Sequence, residues 1–208
     1  ALADGDDAMI SAMLHNVATF RANNVRMSEL FGTVVPTQAA HAMLEAHSAA
    51  NYDIGIGTAS LSWFVPLIRA QLLTTEGRFS EAQEIFAANI EQARQEGLAR
   101  LLPCFYSDHA WCCLRLGNPD GARTSLESAL STISLDCDSD DLATTYARAA
   151  AITAALGDGA LSADFAASAT CASIMRRNAR CWICYLHVSG KRHSRQRVPI
   201  PPDRLPSS

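Results

Sequence analysis

GRFSEAQEIF, residues 77–86, opens on a glycine, continues through a polar turn, and places Ala82, Ile85 and Phe86 at helical spacing. Two further stretches align with it on the glycine: LGNPDGARTSL from Leu116 and LGDGALSADFA from Leu156. Gly77, Gly117 and Gly157 are therefore spaced by 40 and again by 40 residues. Ala70, Ala110 and Ala150 keep the same register seven residues before each glycine, and Tyr106 and Tyr146 lie eleven before the last two. Self-similarity at such a fixed period is the mark of a repeat architecture.

Each glycine follows one apolar helical stretch and precedes another, which suits a C-cap residue at positive φ in a tight helix–helix turn. The unit is thus a helical hairpin. The first predicts helices over Ser60–Glu76 and Ser80–Glu96, with Ser80 as N-cap and Gly97 as the stop. The second predicts Pro103–Leu116 and Pro119–Ser134, both prolines suiting a first turn, and the third Asp140–Leu156 and Leu161 to about Arg176. Upstream, Asp6–Asn23 and Thr37–Ala50 have helical periodicity and read as a divergent first hairpin. RANNVRMSELFGTVVP between them reads as a connector with a short helical turn.

Composition agrees with an all-α chain. Its 208 residues are 49% hydrophobic, rich in alanine and only 7% aromatic, which favours close-packed helices over strands and argues against disorder. No apolar run reaches the ~18 residues of a membrane helix. The opening ALADGDDAMISAM carries acids where a secretory signal carries basic residues, and the chain is read as a piece of something longer. Residues 1–170 hold nine arginines against twenty acids, a net of −11, whereas residues 171–208 hold eight basic residues against Asp203, a net of +7. An acidic body does not attract nucleic acid, and a basic tail touches it weakly at most. Seven cysteines, with Cys112 and Cys113 inside an apolar helical stretch, fit reduced, buried thiols and a cytoplasmic setting.

The repeating residues resemble the tetratricopeptide repeat (TPR). Its small first-helix residue, turn glycine, and second-helix alanine and large apolar residue are matched by Ala70, Gly77, Ala82 and Phe86, then by Ala110, Gly117, Ala122 and Leu126. Tyr106 and Tyr146 stand at the family's early aromatic position, and Ala129 and Leu130 at its late alanine and following apolar one. The period of 40 exceeds the common ~34, the third unit moves its alanine to Ala163, and Arg69 and His109 replace leucine. The longer period is similar to that of MalT-type bacterial regulators, and the general style to sensory arrays preceding diguanylate cyclase domains.

The resemblance implies a right-handed α-solenoid of about four antiparallel hairpins, with residues 1–56 a divergent hairpin and connector, 57–176 three repeats, and 177–208 a basic, flexible tail. It also implies a non-catalytic protein-interaction or ligand-sensing scaffold without a cofactor, the input region of a larger signalling or regulatory protein. A protein or peptide partner is expected on a concave face lined by the first helices, at Gln71, Thr74, Ser107, Trp111, Leu114, Thr144 and Ala147. Trp111 serves there as an apolar anchor or else fills space between hairpins. No membrane partner is expected, and a homodimer is compatible with the reading.

Three stretches carry chemistry-bearing residues. Ser107, Asp108 and His109 are consecutive, and on a helix they point ~100° apart, so they form no catalytic relay among themselves. DCDSDD, 136–141, resembles a calcium loop but has Asp141 where the sixth-position glycine is required and Ala147 at the twelfth; these acids are better placed to charge the start of the following helix. CWICYLH offers Cys181, Cys184 and His187, with Cys171 and His193 nearby, as a weak metal set lacking a second Cys-x-x-Cys. A small metal- or redox-linked regulator using Cys181 and Cys184 is the alternative function. The change of style from about Arg176 is also read as a domain boundary, a frameshifted end or a truncated next domain.

Overall fold

The computed structural model describes the backbone of residues 2–32, 36–57 and 63–189, and the side-chain surroundings of residues 7–32, 40–57 and 63–174. Within these bounds the chain is all-helical, without a strand. The elements are α1 (Leu2–Leu30), α2 (Pro36–Gly55), α3 (Phe64–Thr75), α4 (Phe79–Gln95), a 3-10 turn (Ala99–Leu101), α5 (Leu102–Arg115), α6 (Pro119–Ser131), α7 (Ser139–Ala155) and α8 (Gly159–Ser189). Residues 1–176 form one compact unit and residues 177–208 another. The described part of the second is the helix through Ser189.

The 40-residue recurrence has a physical basis at the helix ends. Gly77, Gly117 and Gly157 adopt φ of 79°, 79° and 89°, which only glycine tolerates cheaply. The residue after each donates its N–H five residues back: Arg78 to the Leu73 carbonyl, Asn118 to that of Cys113 and Asp158 to that of Thr153, all at 2.9 Å. The glycines themselves donate to the carbonyls of Thr74, Leu114 and Ala154. This paired pattern is a Schellman motif, which satisfies the orphan carbonyls and turns the chain sharply.

Helix starts are less uniform. Asn118 and Asp158 accept N–H bonds from Gly121 and Leu161, as N-caps should. Ser80, expected as the first unit's N-cap, lies inside α4 instead; Arg78 precedes the helix without a side-chain cap and pairs with Glu81.

Packing follows the hairpin order. α3 packs on α4, α5 on α6, and the first helices meet in sequence, α3 with α5 and α5 with α7. Ala70 and Ala110 have no exposed surface, which lets neighbouring helices approach closely. The main core gathers Leu67, Leu72, Leu73, Phe86, Leu102 and Phe105 from α3, α4 and α5. In α4 the buried Ala82, Phe86, Ile90 and Ala93 make a stripe at helical spacing. A smaller cluster joins Ala110, Leu126, Ala149 and Ile152, with Phe165 of α8 packed against it.

Two helices run furthest past their expected ends: α8 continues beyond Arg176 to Ser189, and α1 beyond Asn23. Residues 24–30, read as part of a connector with a short helical turn, continue the helix to Leu30. Its far end reaches past α3 to pack against α7.

Candidate functional site

The seven positions expected to face a partner divide in two. Gln71, Thr74, Ser107 and Thr144 are buried, while Trp111, Leu114 and Ala147 are half-buried. Three of the buried four satisfy their hydroxyls on their own helices: Thr74 donates to the Ala70 carbonyl, Ser107 to that of Cys104 and Thr144 to that of Asp141. Such back-bonding lets a small polar residue sit in an interior without an outside partner. The open surface expected at these four positions is therefore closed.

Two of the same helices carry an ionic network centred on Asp108 of α5, which is fully buried. Arg26 of α1 donates through Nε to Asp108 Oδ2 at 2.9 Å. Arg148 of α7 donates through Nε to Oδ1, also at 2.9 Å. Arg148 then spends its fork on Glu29 of α1, Nη1 to Oε1 at 2.9 Å and Nη2 to Oε2 at 2.6 Å. Arg26 and Glu29 are three residues apart and share a helix face, so a single turn of α1 engages both α5 and α7.

Formal charge balances within the set, two guanidinium groups against two carboxylates. Balance matters because an unpaired charge in an interior costs several kcal/mol. Burial alone would lower the Arg26 pKa, but attraction to Asp108, helped by Cys104 and Asp141, raises it above the ordinary value. Arg26 Nη2 lies 2.8 Å from Asp108 Oδ2 yet makes no aligned hydrogen bond; the contact is an ion pair by distance and leaves that donor unsatisfied by geometry.

Trp111 belongs to this construction. Arg148 and Arg115 approach its ring, with centroid distances of 5.2 and 5.4 Å, a range at which a cation is drawn to an indole. Arg115 also covers Phe79 at 4.7 Å. One side of Trp111 is thus used within the chain, and the residue remains half-buried rather than free.

A second buried carboxylate fastens the other end of α1. Asp53 of α2 accepts from Ser11 Oγ at 2.5 Å and contacts His15 Nε2 at 2.7 Å. Burial pushes the Asp53 pKa up, but the bonds from Ser11 and His15 outweigh it and the net shift is downward. An ionised Asp53 can only accept, so His15 Nε2 carries the proton. Ser11 and His15 both end on Asp53 and not on each other, which gives a clasp and not a nucleophile activated by a base.

The remaining candidates disperse. Ser107 bonds its own helix, Asp108 binds two arginines, and His109 Nδ1 meets Ser125 Oγ at 2.9 Å. Burial lowers the His109 pKa. Burial also pushes the Cys104 and Cys112 thiols up to about 12, away from the thiolate form that reacts. In DCDSDD, Asp138 binds Arg100 at 2.7 Å, and Asp140 and Asp141 lie in the first turn of α7. Among the described residues no group of three or more His, Cys, Asp or Glu could hold a metal ion. The side chains of Cys181, Cys184 and His187 lie outside the described residues, as does His193, while Cys171 is an exposed free thiol. No described helix is long and apolar enough to cross a membrane.

Sequence reasoning missed Arg26, Glu29 and Arg148. Ala22, Val25, Arg26 and Glu29 stand at i, i+3, i+4 and i+7, a helical spacing inside the supposed connector that would have extended α1. No protein-family model, curated protein or solved structure matches the chain.

Proposed function

We propose that the chain is a non-catalytic interaction scaffold, a TPR-like right-handed helical array of about four hairpins that serves as the cytoplasmic input region of a larger bacterial signalling or regulatory protein. The recurrence of the Schellman turns every 40 residues supports the array. The observation that carries the function is the holding of α1 across α5 and α7 through Arg26 and Glu29. The first helices thereby act as a surface that recognises a helix through paired charges. The functional side chains are spent on holding segments together, and the described thiols, histidines and carboxylates form no relay suited to turnover. The partner engages the half-buried rim of Trp111, Leu114 and Ala147 beside α1.

The test is photo-cross-linking in the source cells from a photoreactive residue at Leu114 or Ala147. A recurrent protein partner identified by mass spectrometry is the expected result. A small molecule that raises Tm by several degrees, without any protein cross-link, would replace protein interaction by ligand sensing. A folded chain that gives neither a recurrent protein cross-link at Leu114 or Ala147 nor a rise in Tm with any small molecule would overturn the scaffold reading.

A further inference from the structure

The two sides of α1 are composed in an unusual way. The side turned to the rest of the chain carries Ser11, His15, Ala18, Ala22 and Arg26, each 5% exposed or less. The outward side carries the large apolar residues: Met9, Ile10, Met13, Val17 and Phe20 are 39–60% exposed. At ~100° per residue these five fall within about 100° of arc, so they form one stripe. Leu44 of α2 is 66% exposed and stands one helical turn before Ser48, on the face of α2 that lines the groove. Between the two helices runs a groove of about 290 Å³ lined by Ile10, Met13, Leu14, Val17, Glu45 and Ser48. A contiguous apolar patch of this kind marks an interaction site.

We propose that this face is the dimerisation surface of the chain, occupied by the same face of a second copy about a two-fold axis. Area supports that occupant. With ~200 Å² for a large apolar side chain, the exposed fractions of the five residues and Leu44 amount to roughly 600 Å² per copy. A standard interface buries ~800 Å² per partner, of which about 60% is apolar. The patch therefore supplies the apolar share of a stable dimer without further surface.

Charge supports it as well. Residues 8–20 contain no acid, lysine or arginine, and Glu45 in the groove is paired with Arg21 at 2.8 Å. Two bodies that each carry an excess of acid over residues 1–170 repel one another except across a neutral face. Met9 and Phe20 stand ~16 Å apart along α1. An antiparallel approach sets Met9 of one copy against Phe20 of the other, with Met13 near the axis, as a self-complementary contact requires.

Sedimentation equilibrium of the full chain over about 1–100 μM tests the proposal, the concentration range being that of a micromolar dissociation constant. The expected mass is twice the 22.3 kDa of one chain. Met13→Glu, with a charge in the apolar centre, should weaken the dimer about 100-fold or more and return the single-chain mass, with far-ultraviolet circular dichroism unchanged. Leu135→Glu, at an exposed site in the α6–α7 loop, should leave the dimer intact. If Met13→Glu unfolds, Met9→Glu must give the same dissociation. A wild-type chain at 22.3 kDa throughout, or folded glutamate variants that stay dimeric, would overturn the proposal. So would a benzophenone cross-link from position 13 that joins only residues of its own chain, which would assign the face to an internal segment. Protection of α1 only on adding an apolar helical peptide would assign it to a foreign partner, with the same consequence.

Discussion

Two buried aspartates fasten α1, over very different spans of chain. Asp53 closes a hairpin with Ser11 and His15, partners 42 and 38 residues away. Asp108 binds Arg26 across 82 residues, and Arg148 binds Glu29 across 119. The first cluster holds two consecutive helices as neighbours, which short connections favour in any case. The second decides where the end of α1 lies, since a helix attached only to α2 and α3 has no need to reach α7. Both clusters use a carboxylate with each oxygen engaged, but the Asp108 set holds two arginines where the Asp53 set holds a serine and a histidine.

That contrast sets the order of expected effects. Asp108→Ala leaves two guanidinium groups buried beside no anion at that site and should cost about 3–5 kcal/mol in urea denaturation. A loss below about 1 kcal/mol would mean that the network is not closed in solution. Asp53→Ala removes the acceptor of two buried donors, and about 2–3 kcal/mol is expected from desolvated groups left unpaired. Equal losses at the two sites would erase the distinction. Glu29→Gln, at a partly exposed carboxylate, should cost about 1–2 kcal/mol and speed hydrogen exchange of α1 residues 21–30 more than that of residues 8–18.

Acid sharpens the comparison further. The Asp53 pKa is lowered on folding, so its contribution is fully present above the unfolded value of ~3.9 and is lost as pH falls through the folded value. The advantage of wild type over Asp53→Asn should hold steady down to about pH 5 and shrink as the pH falls below ~4. Asp141 acts in the opposite sense, because burial raises its pKa; it favours the folded state most at low pH and less as pH rises through its folded value. A stability gap between wild type and Asp53→Asn that widens on acidification would contradict the ionised clasp.

The smallest effect concerns the thiols. Cys104 and Cys112, raised to about 12 by burial, should resist alkylation at pH 8 for as long as the body stays folded. Cys171, exposed, should react fast under the same conditions. In Glu29→Gln, protection of Cys104 should fall modestly, since Arg26 of the same helical segment lies against it. Unchanged labelling in both chains would show that the end of α1 does not cover that thiol.

Much of the fold was legible because glycine and alanine report local geometry. Gly77, Gly117 and Gly157 announce a backbone that other residues adopt only at a cost, and their spacing carried the hairpin pattern from Phe64 onward. The helix limits in that stretch agree to within a few residues up to Arg176; Ser80 lies inside α4 and not at its cap, and α8 continues to Ser189. In α1 the helix runs past its expected end at Asn23 although Asn23 and Asn24 have low helix propensity, because packing against α7 sets the helix through Leu30. The ionic network was not legible for a related reason: no pattern near Arg26 indicates that its partner is Asp108. Thr74, Ser107 and Thr144 fall at first-helix positions that the repeat geometry would turn to a concave face, yet they are buried and each hydroxyl finds a carbonyl on its own helix.

Glu29 and Arg148 bind each other directly and so fix α1 against α7. A double-mutant cycle of Glu29→Gln and Arg148→Gln, read by urea denaturation at pH 7, measures that pair alone. The expected coupling is about 1–3 kcal/mol, with the double variant less destabilised than the two single losses combined. Additive losses within about 0.3 kcal/mol would mean that the two residues do not interact, and the fastening of α1 to α7 would then fail.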